Sequence, residues 1–190
     1  MRFIITAFLI TIAALGSVSV AYPKATDHSD RWQLTFETTG LRFFRDSRTG
    51  HGYWVMVYEV TNETESDQRW VPSFTLITDQ GEVLDAGSDV PRRIQISILE
   101  MLGDVLLEMQ SEVSSALLKG EENASRGLVV WKAGREDVRA LQVFVSGVSG
   151  DIAKVTHPLT GEEVVLHRDL QLSWIVPGRV VGDLRPLPRR

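Results

Sequence analysis

One segment, residues 53–61, constrains the fold of this 190-residue chain more than any other. Almost all of its nine residues are apolar or have a high β propensity. Because side chains alternate across a strand, Trp54 and Met56 fall on one face and Val55 and Val57 on the other. A segment that is apolar on both faces is typical of a central strand covered on both sides.

Other short segments also have the periodicity of strands, and turn residues separate them. Residues 79–81 (Asp-Gln-Gly) predict a hairpin turn, and residues 158–161 predict a second tight turn. Gly40 predicts a turn between the first two strands. Eight or nine short strands with turns between them favour a β-sandwich. Besides 53–61, we predict strands at residues 32–37, 41–45, 73–78, 82–85, 128–131, 138–145, 164–167 and 170–176.

Residues 91–110 differ from the rest because they predict a helical insertion packed over one sheet or one end of the sandwich. The apolar residues that recur at helical spacing are Ile94, Ile98, Leu102 and Val105. Pro91 suits the first helical position, with Asp89 as a candidate cap. Residues 94–98 also alternate, so a strand is the competing prediction. Gly103 weakens a helix and leaves open whether there are one or two helices.

The first 21 residues have the features of an export signal. Arg2 supplies the positive charge, residues 3–15 form a short apolar run, and Ser19 and Ala21 supply the small side chains of a cleavage site. An uncleaved membrane anchor is the alternative, but a spanning helix needs about 20 apolar residues. We therefore predict cleavage near Ala21, a secreted or periplasmic location, and no membrane attachment after cleavage.

The remainder of the chain predicts one domain. Residues 22–30 are polar and predict a flexible lead-in, whereas residues 31–178 carry the strand and helix patterns. Residues 179–190 are rich in arginine and proline, which favours a disordered tail. The chain has no cysteine, so a bacterial rather than a eukaryotic exported protein is favoured. Its net charge of −5 argues against a nucleic-acid partner.

The sequence predicts no catalytic residue, no cofactor site and no metal site. His28, in a small polar cluster with two aspartates, lies in the predicted flexible lead-in, where a rigid metal site is disfavoured. No motif for a nucleophile or for phosphate binding accompanies the other histidines. The one binding candidate is Trp70, which lies beside Pro72 at the edge of a loop. An exposed tryptophan there could anchor a partner or stack on a sugar ring.

Three pieces of the chain resemble a bacterial family. They are residues 53–62, which end in Asn62; residues 73–81, with their Asp-Gln-Gly turn; and residues 118–121, which lead into residues 127–131. This pattern is similar to that of exported immunoglobulin-like (telokin-like) domains of unknown function, including uncharacterised secreted proteins of planctomycete-type bacteria. Lys119, where a proline is usual, and the long helical insertion depart from that pattern. The resemblance implies an immunoglobulin-like antiparallel β-sandwich and supplies no catalytic residue.

These observations together predict a non-catalytic binding or structural module of the bacterial envelope, whose partner is another envelope protein. Two alternatives stay open. The first is carbohydrate or cell-wall binding through exposed aromatic residues around Trp70. The second is a metal-dependent hydrolase that uses His51, His157 or His167. The partner's identity and the oligomeric state do not follow from the sequence.

Overall fold

Most of the regular structure consists of β-strands. A computed structural model describes residues 32–110, 112, 116–178, 180 and 182–190. Within that part of the chain there is a single helix, α1 (Arg92–Leu102). The strands are β1 (Thr35–Arg45), β2 (Gly52–Asn62), β3 (Gln68–Arg69), β4 (Ser73–Thr78), β5 (Val83–Asp85), β6 (Glu108–Met109), β7 (Ala116–Leu117), β8 (Gly120–Lys132), β9 (Ala140–Ser146), β10 (Ile152–Thr156), β11 (Glu163–His167), β12 (Leu170–Ile175) and β13 (Asp183–Pro186).

Two sheets form the body of the molecule. One has the strand order β13-β1-β2-β8-β6 and the other β12-β9-β4-β5. Neighbouring strands run antiparallel, except that β6 runs parallel to β8. Both sheets contribute to one core, for example through Trp54 of β2, Val143 of β9 and Trp174 of β12. The prediction of a mainly β fold is confirmed, and the arrangement is consistent with a β-sandwich.

Strand β2 is buried on both faces, as its sequence predicts. Trp54 and Met56 lie in the core between the sheets, whereas Val55 and Val57 lie in a second core on the other side of the strand. That second core is completed by helix α1, which contributes Ile94 and other residues. The helix therefore packs over the outer face of the five-stranded sheet, so this part of the prediction is confirmed.

The helix is shorter than the insertion predicted over residues 91–110. It ends where Gly103 adopts a left-handed conformation (φ 64°) and donates its backbone N–H to Leu99 O at 3.0 Å. Glycine favours such an ending because no Cβ opposes the left-handed backbone. A turn and strand β6 follow, so the helical prediction beyond Leu102 is wrong, as is the competing strand over residues 94–98. Pro91 occupies the N-cap position, and no side chain caps the helix there.

Strand β1 runs through the position where a turn was predicted. Gly40 adopts a positive φ of 108°, and the pairing with β2 shifts register between Thr38 and Leu41. This irregularity is a bulge within one strand, because pairing with β2 resumes from Leu41. The two strands predicted at residues 32–37 and 41–45 are therefore largely one strand.

The C-terminal residues join the edges of the two sheets, so the prediction of a disordered tail over residues 179–190 is wrong for its described part. Strand β13 pairs with β1, and Leu187 N donates to Leu41 O at 2.7 Å. Farther on, Pro188 O accepts from Ile175 N at 2.9 Å in β12. We call residues 183–190 the C-terminal clasp. The high content of proline and arginine wrongly indicated disorder. Prolines are tolerated in edge strands, and Leu187 packs against the core.

The predicted export signal, residues 1–21, and the predicted lead-in, residues 22–30, lie outside the described residues. Within the described chain, no helix has the length and apolar character needed to cross a membrane.

Candidate interaction surface

Trp70, the binding candidate predicted from the sequence, lies in the core. Its side chain is only 1% exposed and belongs to the cluster between the two sheets. Burial raises the pKa of the neighbouring Tyr58 phenol, and the Trp70 indole opposes this effect only in part. The two polar atoms do not reach hydrogen-bond geometry, since Trp70 Nε1 and Tyr58 Oη both lack a partner among the described residues. The prediction of an exposed anchor at Trp70 is therefore wrong.

The three described histidines lie apart: His157 and His167 are at opposite ends of the β10–β11 hairpin, and His51 is in another turn. His51 is exposed in the turn between β1 and β2, where its carbonyl accepts from Asp46 N at 2.9 Å. The Nδ1 atom of His157 accepts from the backbone N–H of Thr160 at 3.1 Å and so supports a tight turn. His167 is exposed at the end of β11. Among the described residues, no group of three metal-ligating side chains is placed to hold an ion. His28 lies outside them.

A hairpin built from β10 and β11 extends the ribbon formed by β9 and β12. Its turn at residues 158–161 was predicted, and the turn is closed by Gly161 N, which donates to His157 O at 2.9 Å. Within the described chain, these two strands form a sheet of their own. Neither hydrophobic core includes a residue of this hairpin. We call residues 152–167 the β10–β11 arm.

One face of the arm is apolar. Ala153 pairs with Leu166, and Val155 pairs with Val164, so these four side chains lie on the same side of the hairpin. All four are half-buried or exposed. The opposite face is mixed and carries an ion pair between Lys154 Nζ and Glu163 Oε1 at 2.8 Å. The arm is therefore amphipathic, although it packs into neither core.

Polar contacts fix the base of the arm to the body. Arg168 Nη1 lies 3.0 Å from Asp151 Oδ2, and Ser149 Oγ accepts from Asp151 N at 3.1 Å. Gln33 forms an isolated bridge with Ser149, and Gly150 N donates to Trp32 O at 2.9 Å. These bonds tie both strands and the start of the described chain together. The base of the arm is thus anchored by an ion pair and by backbone hydrogen bonds.

A cleft of about 580 Å³ opens at this base. Its apolar lining comes from Leu34, Phe36, Val148 and Leu170. Its polar lining comes from Gln33, Thr35, Ser149, Arg168, Asp169 and Gln171. His167 ends β11 and Asp169 lies between β11 and β12, and the two side chains form no hydrogen bond with each other in the described structure. The apolar face of the arm and this cleft together form the candidate interaction surface.

A larger cleft of about 740 Å³ lies near the other end of β12, and residues 136–139 form part of its lining. Its carboxylates are already paired, because Glu136 contacts Arg45 and Asp137 contacts Arg135. The hydrogen bond from Arg135 lowers the pKa of Asp137. Because both of its acids already form ion pairs with arginines, this cleft is the weaker candidate for an interaction surface.

Strand β10, and with it the arm, was not predicted from the sequence. The available signal was the alternation of Ala153 and Val155 before the predicted turn, which matches Val164 and Leu166 after it. Such an apolar face, with strand edges beside it, suits the binding of an extended segment by strand addition.

No family model, curated protein or solved structure matches this chain.

Proposed function

We propose that this chain is an exported, immunoglobulin-like binding module of the bacterial envelope, and that it binds another protein through the β10–β11 arm. The observation that carries the proposal is the apolar face formed by Ala153, Val155, Val164 and Leu166, which belongs to neither core. Soluble proteins expose such apolar patches chiefly where a partner or ligand covers them.

The strand order supports an immunoglobulin-like topology. In that fold, one sheet has the order A-B-E-D and the other contains C, F and G. Here β1, β2, β8 and β6 follow the first pattern, and β12, β9 and β4 follow the second, with β5 added at the edge. Helix α1 lies between β5 and β6 along the chain. The parallel pairing of β6 with β8 is a departure, because the immunoglobulin sheets are antiparallel.

The sequence supports export into a bacterial envelope. Residues 1–21 combine a positive start, a short apolar run and a small-residue cleavage site. Since the chain contains no cysteine, its stability in that compartment depends on packing rather than on disulfides.

Strand addition is the binding mode that the arm favours. In this mode, backbone hydrogen bonds to a strand edge provide affinity, and alternate side chains provide specificity. The arm offers β11 as an edge strand, with exposed Val165 and Leu166 along it. The two alternative functions lose support, because Trp70 is buried and the described histidines lie apart.

Photo-crosslinking in the cells that naturally produce the protein tests this proposal. A photoreactive amino acid at Leu166 should give a discrete covalent adduct with one envelope protein. The matched control carries the same group at Val83, which is exposed on β5 at the edge of the four-stranded sheet. Adducts of equal yield from both positions, or none from Leu166, would contradict binding through the arm.

The mass of the purified protein tests export separately. A mature chain that begins at Tyr22 is expected. A full-length chain in the cytoplasm would contradict the envelope location, whatever the crosslinking experiment gives.

A further inference from the structure

Three apolar side chains are strongly exposed where helix α1 ends. Met101 is 57% exposed, Val105 97% and Leu106 68%. By contrast, Ile98, one helical turn before Met101, is completely buried. We call Met101, Val105 and Leu106 the apolar turn, because Val105 and Leu106 form the turn after the helix and Met101 lies in its last residues.

The apolar turn is held in place by its neighbours. Asp104 Oδ1 accepts from Leu106 N at 3.1 Å, and Asp104 O accepts from Leu107 N at 3.3 Å. The other carboxylate oxygen of Asp104 lies 2.6 Å from Arg126 Nη1 on β8. Leu107 is buried in the second core. These contacts anchor the turn on both sides while Val105 and Leu106 face solvent.

The chain segment that carries the apolar turn contains only acidic charges, two of which pair with arginines from outside the segment. Between residues 94 and 118 the chain contains four acids, at Glu100, Asp104, Glu108 and Glu112, and no lysine or arginine. Asp104 is paired with Arg126, and Glu112 lies 3.2 Å from Arg92. Neither Glu100 nor Glu108 forms an ion pair with a described residue. These two acids, Glu100 and Glu108, flank the apolar turn along the chain, and we call them its acidic rim.

We propose that the apolar turn is a second docking surface, and that it binds an amphipathic protein segment rich in lysine or arginine. Burial of the exposed side chains against an apolar face would favour binding, and the acidic rim would attract positive charge. An anionic lipid surface fits poorly, because the same rim repels it. This surface lies beside α1, so its occupancy does not depend on binding through the β10–β11 arm.

A synthetic amphipathic peptide of leucine and lysine serves as the probe, with a matched peptide in which glutamate replaces lysine. Fluorescence anisotropy with the full chain should show binding of the lysine peptide only. Added salt should weaken this binding, because it screens the charges of the rim. Equal binding of the glutamate peptide would overturn the charge argument.

The double variant Val105→Ser, Leu106→Ser tests the location. Both side chains are exposed, so the fold should be retained, and losing their burial against the peptide should weaken binding about tenfold. The matched control Val83→Ser, Leu118→Ser removes the same residue types at 63% and 50% exposure, outside both proposed surfaces, and should leave affinity unchanged. Equal affinities for both double variants would overturn the proposal. Binding of phosphatidylglycerol vesicles that depends on Val105 and Leu106 would also overturn it, in favour of a lipid surface.

Discussion

Strand β2 and the β10–β11 arm are both built from β-prone residues, yet they occupy opposite environments. Trp54 and Val55 of β2 are completely buried, one in each core. No residue of the arm belongs to either core. β propensity alone therefore does not distinguish a stabilising strand from a recognition strand. What differs is the number of layers that cover each face.

The two regions also differ in how they are held. Strand β2 has a hydrogen-bonded neighbour on each side, and a layer packs against each of its faces. The arm has two strands, and an isolated two-stranded hairpin is only marginally stable in water. It therefore depends on its base, where Asp151 and Arg168 form an ion pair. We expect the arm to open locally well before the sandwich unfolds.

The largest effect is expected from Trp131→Ala in the core. Trp131 is completely buried, and its Nε1 donates to Phe74 O at 3.2 Å, which links the two sheets. Loss of the side chain should lower the free energy of unfolding by about 3–5 kcal/mol, measured by chemical denaturation. Trp131→Phe is the control and should cost less, because it keeps an aromatic ring. If Trp131→Ala lowered the free energy of unfolding by less than about 1 kcal/mol, the surrounding side chains would be able to close the cavity.

An intermediate effect is expected from Asn62→Ala at the end of β2. Asn62 Nδ2 donates to Ser66 O and Leu117 O at 2.9 Å each, and its Oδ1 accepts from Thr64 N at 3.1 Å. Removing these bonds leaves buried groups without partners and should cost about 1–3 kcal/mol in thermal or chemical unfolding.

Asn123→Ala is the matched control for this substitution. Asn123 makes one exposed bond, from its Nδ2 to Lys119 O at 2.8 Å. Its replacement should change stability by less than about 0.5 kcal/mol. If both substitutions lowered the free energy of unfolding equally, the hydrogen bonds of Asn62 would contribute no more to stability than the single bond of Asn123.

A smaller, pH-dependent effect is expected at Asp46, which joins the turn after β1 to helix α1. Hydrogen bonds from Thr49 Oγ1 and from Arg93 lower the pKa of Asp46 from 3.8 to about 2. Because the pKa is lowered in the folded state, this stabilisation is complete above the ordinary value and is lost as the pH falls toward 2. Thr49→Val should raise the pKa of Asp46 and move that loss to higher pH.

An NMR titration of the Asp46 carboxyl carbon, together with melting temperatures measured against pH, checks this prediction. Thr39→Val serves as the control, since the Thr39 hydroxyl accepts a bond from Arg42 rather than donating to a carboxylate. An unchanged Asp46 titration in the Thr49 variant would show that the hydroxyl does not set this pKa.

The smallest effect on stability is expected in the arm. The double variant Val155→Thr, Val164→Thr keeps β-branched side chains and should change the global free energy of unfolding by less than about 0.5 kcal/mol. It should nevertheless reduce the crosslinking yield from Leu166, because it makes the apolar face polar. Hydrogen exchange should show faster exchange confined to residues 152–167. A large global loss of stability would show that the arm belongs to the cooperative core.

The sequence predicted those parts of the fold in which local periodicity and burial agree. The two faces of β2, the hairpin turn at residues 79–81 and the helical packing of Ile94 were all visible as patterns. The sequence also indicated where the helix ends, because Gly103 was identified as a residue that weakens a helix. The error there lay in extending the helical period through the turn to Val105.

The candidate site was not predictable in the same way. Trp70 lies outside regular structure, where periodicity carries no information about burial, and only the packing of the two sheets places it inside. The C-terminal clasp was missed because the strand it pairs with, β1, is distant in sequence, as the bond between Leu187 and Leu41 shows. The arm's turn was predicted, but its separation from both cores depends on where β9 and β12 leave the sandwich.

The C-terminal clasp has a mechanical consequence. Its hydrogen bonds to β1 and then to β12 follow one another along a single short stretch of chain. A force that pulls Arg190 away from the body would break these hydrogen bonds one after another rather than all at once. The bonds to β12 would break first and those to β1 next. Detachment of the clasp would therefore expose two unpaired strand edges, each able to pair with another chain.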